Sequence, residues 1–134
     1  MSDQIVIILT GRPISKKNSK QMFRNSRTGK MFATPSVAFK RFQNDALAQI
    51  IYERQVPADW DKVGTFDVAY IFHRKGKLSQ DADNAMASVN DVLQVANVID
   101  DDKNILSGSF CVLQGRSDWK TEIVITRLEG GEQT

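Results

Sequence analysis

The chain has 134 residues, 41% of them apolar, with 18 Lys and Arg against 16 Asp and Glu for a net charge of +2. That is one domain's worth of material with enough apolar content for a core. A single cysteine (Cys111) excludes an intrachain disulfide scaffold, a single histidine (His73) excludes a multi-histidine metal centre, and no apolar run nears the ~18 residues of a membrane span.

In chain order, Gln4–Leu9 (QIVIIL) is a β-branched run of strand length, ended by Gly11 and Pro13. Residues 12–34 are polar and basic, with Met22-Phe23 and Met31-Phe32 flanking the turn-rich stretch 25–30, which predicts a basic hairpin or arm. A helix is expected from Thr34, with Thr34 as cap and Pro35 in the first turn, to about Arg54. Its stripe is Phe39, Phe42, Ala46, Leu47, Ile50 and Ile51. Residues 65–73 alternate, with Phe66, Val68, Tyr70 and Phe72 on one side of a strand. A loop at 75–80 leads to a second helix over about 84–96, its stripe running from Ala82 through Ala85, Met86, Val89, Val92 and Leu93 to Ala96. Ile105–Leu113 and Lys120–Leu128 read as strands joined by a turn at 115–118, and residues 129–134 as a frayed tail. The expected fold is α+β: a single domain over 1–134, with a mixed β-sheet and two helices.

The small net charge hides a segregation. Residues 12–41 carry nine Lys and Arg and no acid; residues 81–102 carry six Asp and no base. The first block suits a polyanion such as nucleic acid, the second a divalent cation. Asp3 ahead of the first apolar run, with no basic region, does not resemble a secretory leader. With one cysteine, a reducing, cytoplasmic setting is the expectation.

Asp81, Asp83 and Asn84 stand where a strand gives way to a helix. In an extended loop, Asp81 and Asp83 share a face, and the helix N-terminus favours anions there. Asp100, Asp101 and Asp102 follow the helix. Crowded carboxylates are relieved by a bound cation or by water, and hard oxygen donors select Mg²⁺ or Mn²⁺. A helix cap at 83 or 84 and a solvated turn at 100–102 are the structural alternatives. Asp91 lies ~12 Å along the helix from Asp83, which suits a supporting role on the side of Asn84 and Ser88. His73 reads as structural and Cys111 as a buried, inert thiol. Trp60 and Trp119 read as loop anchors.

Together these motifs resemble the RusA family of Holliday junction resolvases. The resemblance lies in Asp81-Ala82-Asp83-Asn84 at a helix head, Asp91-Val92-Leu93 within the helix, Asp101-Asp102 just past it, and the opening Gly11-Arg12-Pro13-Ile14-Ser15-Lys16-Lys17-Asn18. It spans residues 4–128 without a gap. The resemblance implies a RusA-like fold and a Mg²⁺-dependent endodeoxyribonuclease, a homodimer that nicks four-way DNA junctions symmetrically, in a bacterial, prophage or phage setting. It places the catalytic metal on Asp81, Asp83 and Asp102, with Asp101 in reserve and Asn84, Asp91 and Lys103 secondary. The expected phosphate contacts are Arg12, Lys16, Lys17, Lys20, Arg24 and Lys30. The family often has Lys three positions after the Asn, where this chain has Ala87; Lys16, Lys17 and Lys103 are the expected substitutes. A non-catalytic DNA-binding module and a metal-dependent nucleotide phosphohydrolase are the competing classes.

Overall fold

The computed structural model describes residues 3–15, 20–24, 26–76 and 82–128, the second and third strands by their backbone. In chain order the elements are β1 (Gln4–Thr10), β2 (Lys20–Arg24), β3 (Met31–Pro35), α1 (Val37–Tyr52), β4 (Phe66–Lys75), α2 (Ala82–Val95), a 3₁₀ turn (Asp102–Asn104), β5 (Ile105–Arg116) and β6 (Lys120–Arg127). Four strands form one sheet in the order β1-β6-β4-β5. β6 is antiparallel to both β1 and β4, while β4 and β5 are parallel, so the sheet is mixed. β2 and β3 form a separate antiparallel hairpin.

Strict alternation makes the sheet one-sided. Ile5, Ile7 and Leu9 of β1, Phe66, Val68, Tyr70 and Phe72 of β4, and Ile123 and Ile125 of β6 are all buried. They share a core with Phe42, Ala46 and Ile50 of α1 and with Ala85, Val89, Val92 and Leu93 of α2. The parallel β4–β5 pair needs a crossover, and α2 supplies it.

The start of α1 differs from expectation. Thr34 and Pro35 pair with Gln21 and Lys20 in the hairpin, so they belong to β3. Ser36 is the cap instead: its hydroxyl accepts the Phe39 N–H at 3.1 Å. α2 begins at Ala82, two residues before the expected start, and ends at Val95. Asn97 then takes a positive φ of 59°, and the Val98 N–H reaches back to the Leu93 carbonyl at 2.9 Å.

The two edges of the sheet are treated differently. Gln55 accepts the Ile8 N–H at 2.6 Å and donates to the Ile8 carbonyl at 2.9 Å. Gln49 does the same at Thr10, at 2.7 and 3.1 Å. Two side chains next to and on α1 thus stand in for a neighbouring strand along β1. At the other edge, β5 pairs only with β4 among the described residues.

Trp60 anchors its loop as expected. Its indole N–H donates to the Val98 carbonyl at 2.8 Å, and its ring stacks on Phe66. No helix among the described residues is long and apolar enough to cross a membrane.

Candidate functional site

Asp83 lies in the first turn of α2, exposed, with half-buried Asn84 beside it. The expected extended loop at 81–83 is therefore corrected: Ala82 is already helical, and only Asp81 precedes the helix. Asp81 lies outside the described residues, as do Lys16 and Lys17. The helix reaches back to Ala82 because Ala85, Val89, Val92 and Leu93 form one buried stripe that its first turn extends.

The acidic segment after α2 bends into the 3₁₀ turn at Asp102–Asn104. The Asp101 carboxylate accepts the Lys103 N–H at 2.9 Å and caps the 3₁₀ turn. That bond holds its carboxyl below the ordinary range. Asp102 then stands exposed at the start of the turn, with Lys103 next to it. Partial desolvation, the adjacent Asp101 and the nearby Asp91 of α2 all push the Asp102 carboxyl upward. Asp100 instead pairs with Lys62 at 3.8 Å on the surface.

Asp102 thus lies near Asp91, while Asp83 is about two turns back along α2. Among the described residues no three Asp, Glu, His or Cys side chains converge to hold a metal ion.

Tyr70 of β4 supports this end of the site. Its hydroxyl donates to Asn90 Oδ1 at 2.6 Å. Burial raises the phenol to about 12, and the charge of Asp102 adds to the rise. Alternation marked Tyr70 only as an inward residue; its polar partner on α2 gave no signal in the sequence.

Arg74 was also missed. It continues the series Phe66, Val68, Tyr70, Phe72 and is 7% exposed, so a guanidinium is buried near the end of β4. The same alternation that placed the four aromatic and aliphatic residues inward extends to position 74.

Among the expected phosphate contacts, Arg12 is exposed and lies 5.1 Å over the Trp119 ring. Lys30 is exposed in the hairpin connection, and Lys20 and Arg24 lie on β2. Beyond Arg12, the chain is fixed against α2: Ser88 Oγ donates to the Ile14 carbonyl at 2.7 Å.

His73 lies away from the acidic group. Its Nδ1 accepts from Arg116 Nε at 3.3 Å, and its Nε2 is 3.6 Å from Glu122. Burial alone would raise the Glu122 carboxyl; Lys120 at 3.2 Å, together with His73, outweighs it and lowers the carboxyl. Cys111 is exposed, not buried, because β5 lies at a sheet edge. No protein-family model matches the chain, and no curated protein matches it.

Proposed function

We propose that this chain is a Mg²⁺-dependent, structure-selective endodeoxyribonuclease that resolves four-way junctions by paired nicks. The observation that carries this reading is the Ser88–Ile14 hydrogen bond. It lays the start of the basic segment beside the helix that bears Asp83 and Asp91. A basic segment that begins there supports a site in which cations and metal-binding carboxylates would act on one phosphate.

The donors are carboxylate oxygens, which suit a hard divalent cation. Asp81 and Asp83 at the head of α2 and Asp102 in the turn would hold one or two such ions, with Mn²⁺ as a substitute. Asp101 is a poorer reserve ligand, since one of its oxygens already caps the turn. When bound, such a cation supplies an activated water and offsets charge at the scissile phosphate. Asp91 sets the charge around Asp102, and Tyr70 with Asn90 fixes the neighbouring helix against β4.

With Ala at position 87, another group must face the phosphate. Lys103 sits beside Asp102, and Lys16 and Lys17 follow the Ile14 contact in sequence. Arg12, Lys20, Arg24 and Lys30 would bind backbone phosphates, so selectivity would rest on the shape of branched DNA. A homodimer would place two such sites about one two-fold axis, as a symmetric junction requires.

The direct test separates binding from cleavage. Asp83→Asn and Asp102→Asn are expected to bind a four-way junction and fail to nick it. A folded variant that loses both together assigns these residues a structural role.

A further inference from the structure

We propose that a cavity at one end of the sheet binds an unpaired nucleotide of a single strand, its base stacked on Trp119 and its phosphate held by Lys75, Arg116 and Lys120. The cavity is open, about 790 Å³ in volume, and lies where β1, β4 and β5 end and β6 begins. His73, Lys75, Arg116, Trp119 and Lys120 line it, and Asp118 is the single acid of the lining. None of Asp83, Asp91, Asp101 and Asp102 lines it, so the site is separate from the acidic one.

Strand pairing builds the cluster. Lys120 of β6 lies between Thr10 of β1 and His73 of β4, and Lys75 pairs with Arg116 of β5. Cations far apart in the chain are thereby gathered at one end of the sheet. Neighbours hold them in place: Glu122 is 3.2 Å from Lys120 and 3.6 Å from His73, and His73 Nδ1 accepts from Arg116 Nε at 3.3 Å. That bond engages Nε, and the two terminal nitrogens form a fork that matches phosphate oxygens.

The aromatic member selects among anions. A free phosphate or a carboxylate would use the cations and leave the Trp119 ring without a partner. A nucleotide brings both a phosphate and a flat π-surface, and base–aromatic stacking tolerates any sequence. Arg12 already flanks the ring at 5.1 Å, a cation–π contact. The Trp119 carbonyl accepts the Gly11 N–H at 3.1 Å, which ties the platform to the end of β1. In a duplex the base faces are hidden in the stack, so the ligand is an unpaired nucleotide. Small-molecule sites are mostly apolar and bury most of their ligand; an open, cationic cleft suits a strand that passes through. Its rim is bare: Gly11 and Gly115 line the cavity at φ of 101° and 74°, and a Cβ on either would meet nothing within 4 Å.

The site stands without the nuclease reading; only its use, to hold an unpaired nucleotide at a branch point, rests on that reading. The test is a binding titration of the full chain with a short labelled oligothymidylate in the presence of a chelator. An abasic strand of the same length keeps the phosphates and lacks the bases. The parent protein is expected to bind oligothymidylate about tenfold more tightly than the abasic strand, the order of one stacked base. Trp119→Leu, which keeps an apolar side chain for folding, is expected to lose that preference, and Trp119→Phe to keep most of it. Lys75→Gln with Arg116→Gln, both at exposed positions, is expected to weaken both strands and to flatten the plot of log affinity against log salt by up to about 1.4, at ~0.7 per phosphate contact. Oligouridylate in the same titration separates DNA from RNA, the tighter of the two being the ligand. A parent protein that does not prefer bases to abasic sites would overturn the proposal. So would a Trp119→Leu variant with an unchanged circular dichroism spectrum that keeps the preference, or an unchanged salt slope in the lysine–arginine variant. Cleavage is not read, so failure here leaves the nuclease reading standing, and an uncut four-way junction in Mg²⁺ leaves this site standing.

Discussion

Ser88 Oγ and the Ile14 carbonyl, 74 residues apart in the chain, share a 2.7 Å hydrogen bond. Ser88 is 2% exposed and Ile14 is half-buried, so the bond is partly shielded from water. It fixes the point at which the chain leaves the sheet and enters its basic segment. Removing the hydroxyl leaves the carbonyl short of a partner, at a cost of about 1–3 kcal/mol. Ser88→Ala is expected to melt several degrees lower and to bind junction DNA more weakly, as thermal denaturation and a binding titration would show. An unchanged affinity would detach the basic segment from this contact.

The acidic turn ranks its own carboxylates. Asp101→Asn keeps an oxygen that can cap the Lys103 N–H, so cleavage is expected to persist. Asp102→Asn changes the side chain that the turn leaves available. Cleavage is expected to fall by more than the ~100-fold that loss of an outer-shell partner costs. Single-turnover rates on one junction substrate measure both variants, and the reverse order would move the ligand to Asp101.

How much of this was legible beforehand depended on the kind of signal. Period-two alternation found β4 and a β-branched run found β1, and each has one face in the core. The alternation also held the position of buried Arg74, which continues the series from Phe66. The start of α1 was not legible, since Thr34 and Pro35 carry a good local helix signal. Their cross-strand pairing with Gln21 and Lys20 overrides it, and no local pattern records that pairing. Cys111 was misplaced for a related reason. Ser-Phe-Cys-Val-Leu reads as a buried strand, but whether a strand is central or at an edge is decided by topology. The bent turn at 101–104 had a signal in Asp101, two residues before the N–H it accepts, and three consecutive aspartates masked it. The pairing of Tyr70 with Asn90 joins two elements and had no local trace.

Gln55 offers a test of edge protection. Gln55→Ala removes two hydrogen bonds from Ile8, a loss of about 1–3 kcal/mol. It also opens the backbone of β1. Lower stability should therefore come with increased, concentration-dependent association, visible by light scattering. Lower stability with no added association would make Gln55 a simple tertiary contact.

Tyr70 predicts a specific alkaline limb. Its phenol rises from 10.0 to about 12 on folding. Between those values the unfolded chain releases a proton that the folded chain retains, so stability falls as pH climbs through this window. Tyr70→Phe should lack that part of the fall. Melting temperatures of the parent and Tyr70→Phe across this range provide the check, and parallel curves would contradict it.

On the proposed reading, the lysines that follow Ile14 in sequence would set the electrostatic part of DNA binding. Lys16→Ala with Lys17→Ala is expected to flatten the plot of log affinity against log salt by up to about two units, by counterion release. Binding isotherms at several salt concentrations would show it, and an unchanged slope would place both lysines away from the phosphates.

The measurement that bears most directly on function is incubation of the full chain with a labelled synthetic four-way junction, with Mg²⁺ and with a chelator. The expected result is a pair of symmetric nicks in opposing strands that requires Mg²⁺ and disappears in Asp83→Asn and Asp102→Asn. An intact junction in Mg²⁺, bound by the folded parent protein at the same concentration, would contradict the nuclease reading and leave a DNA-binding module.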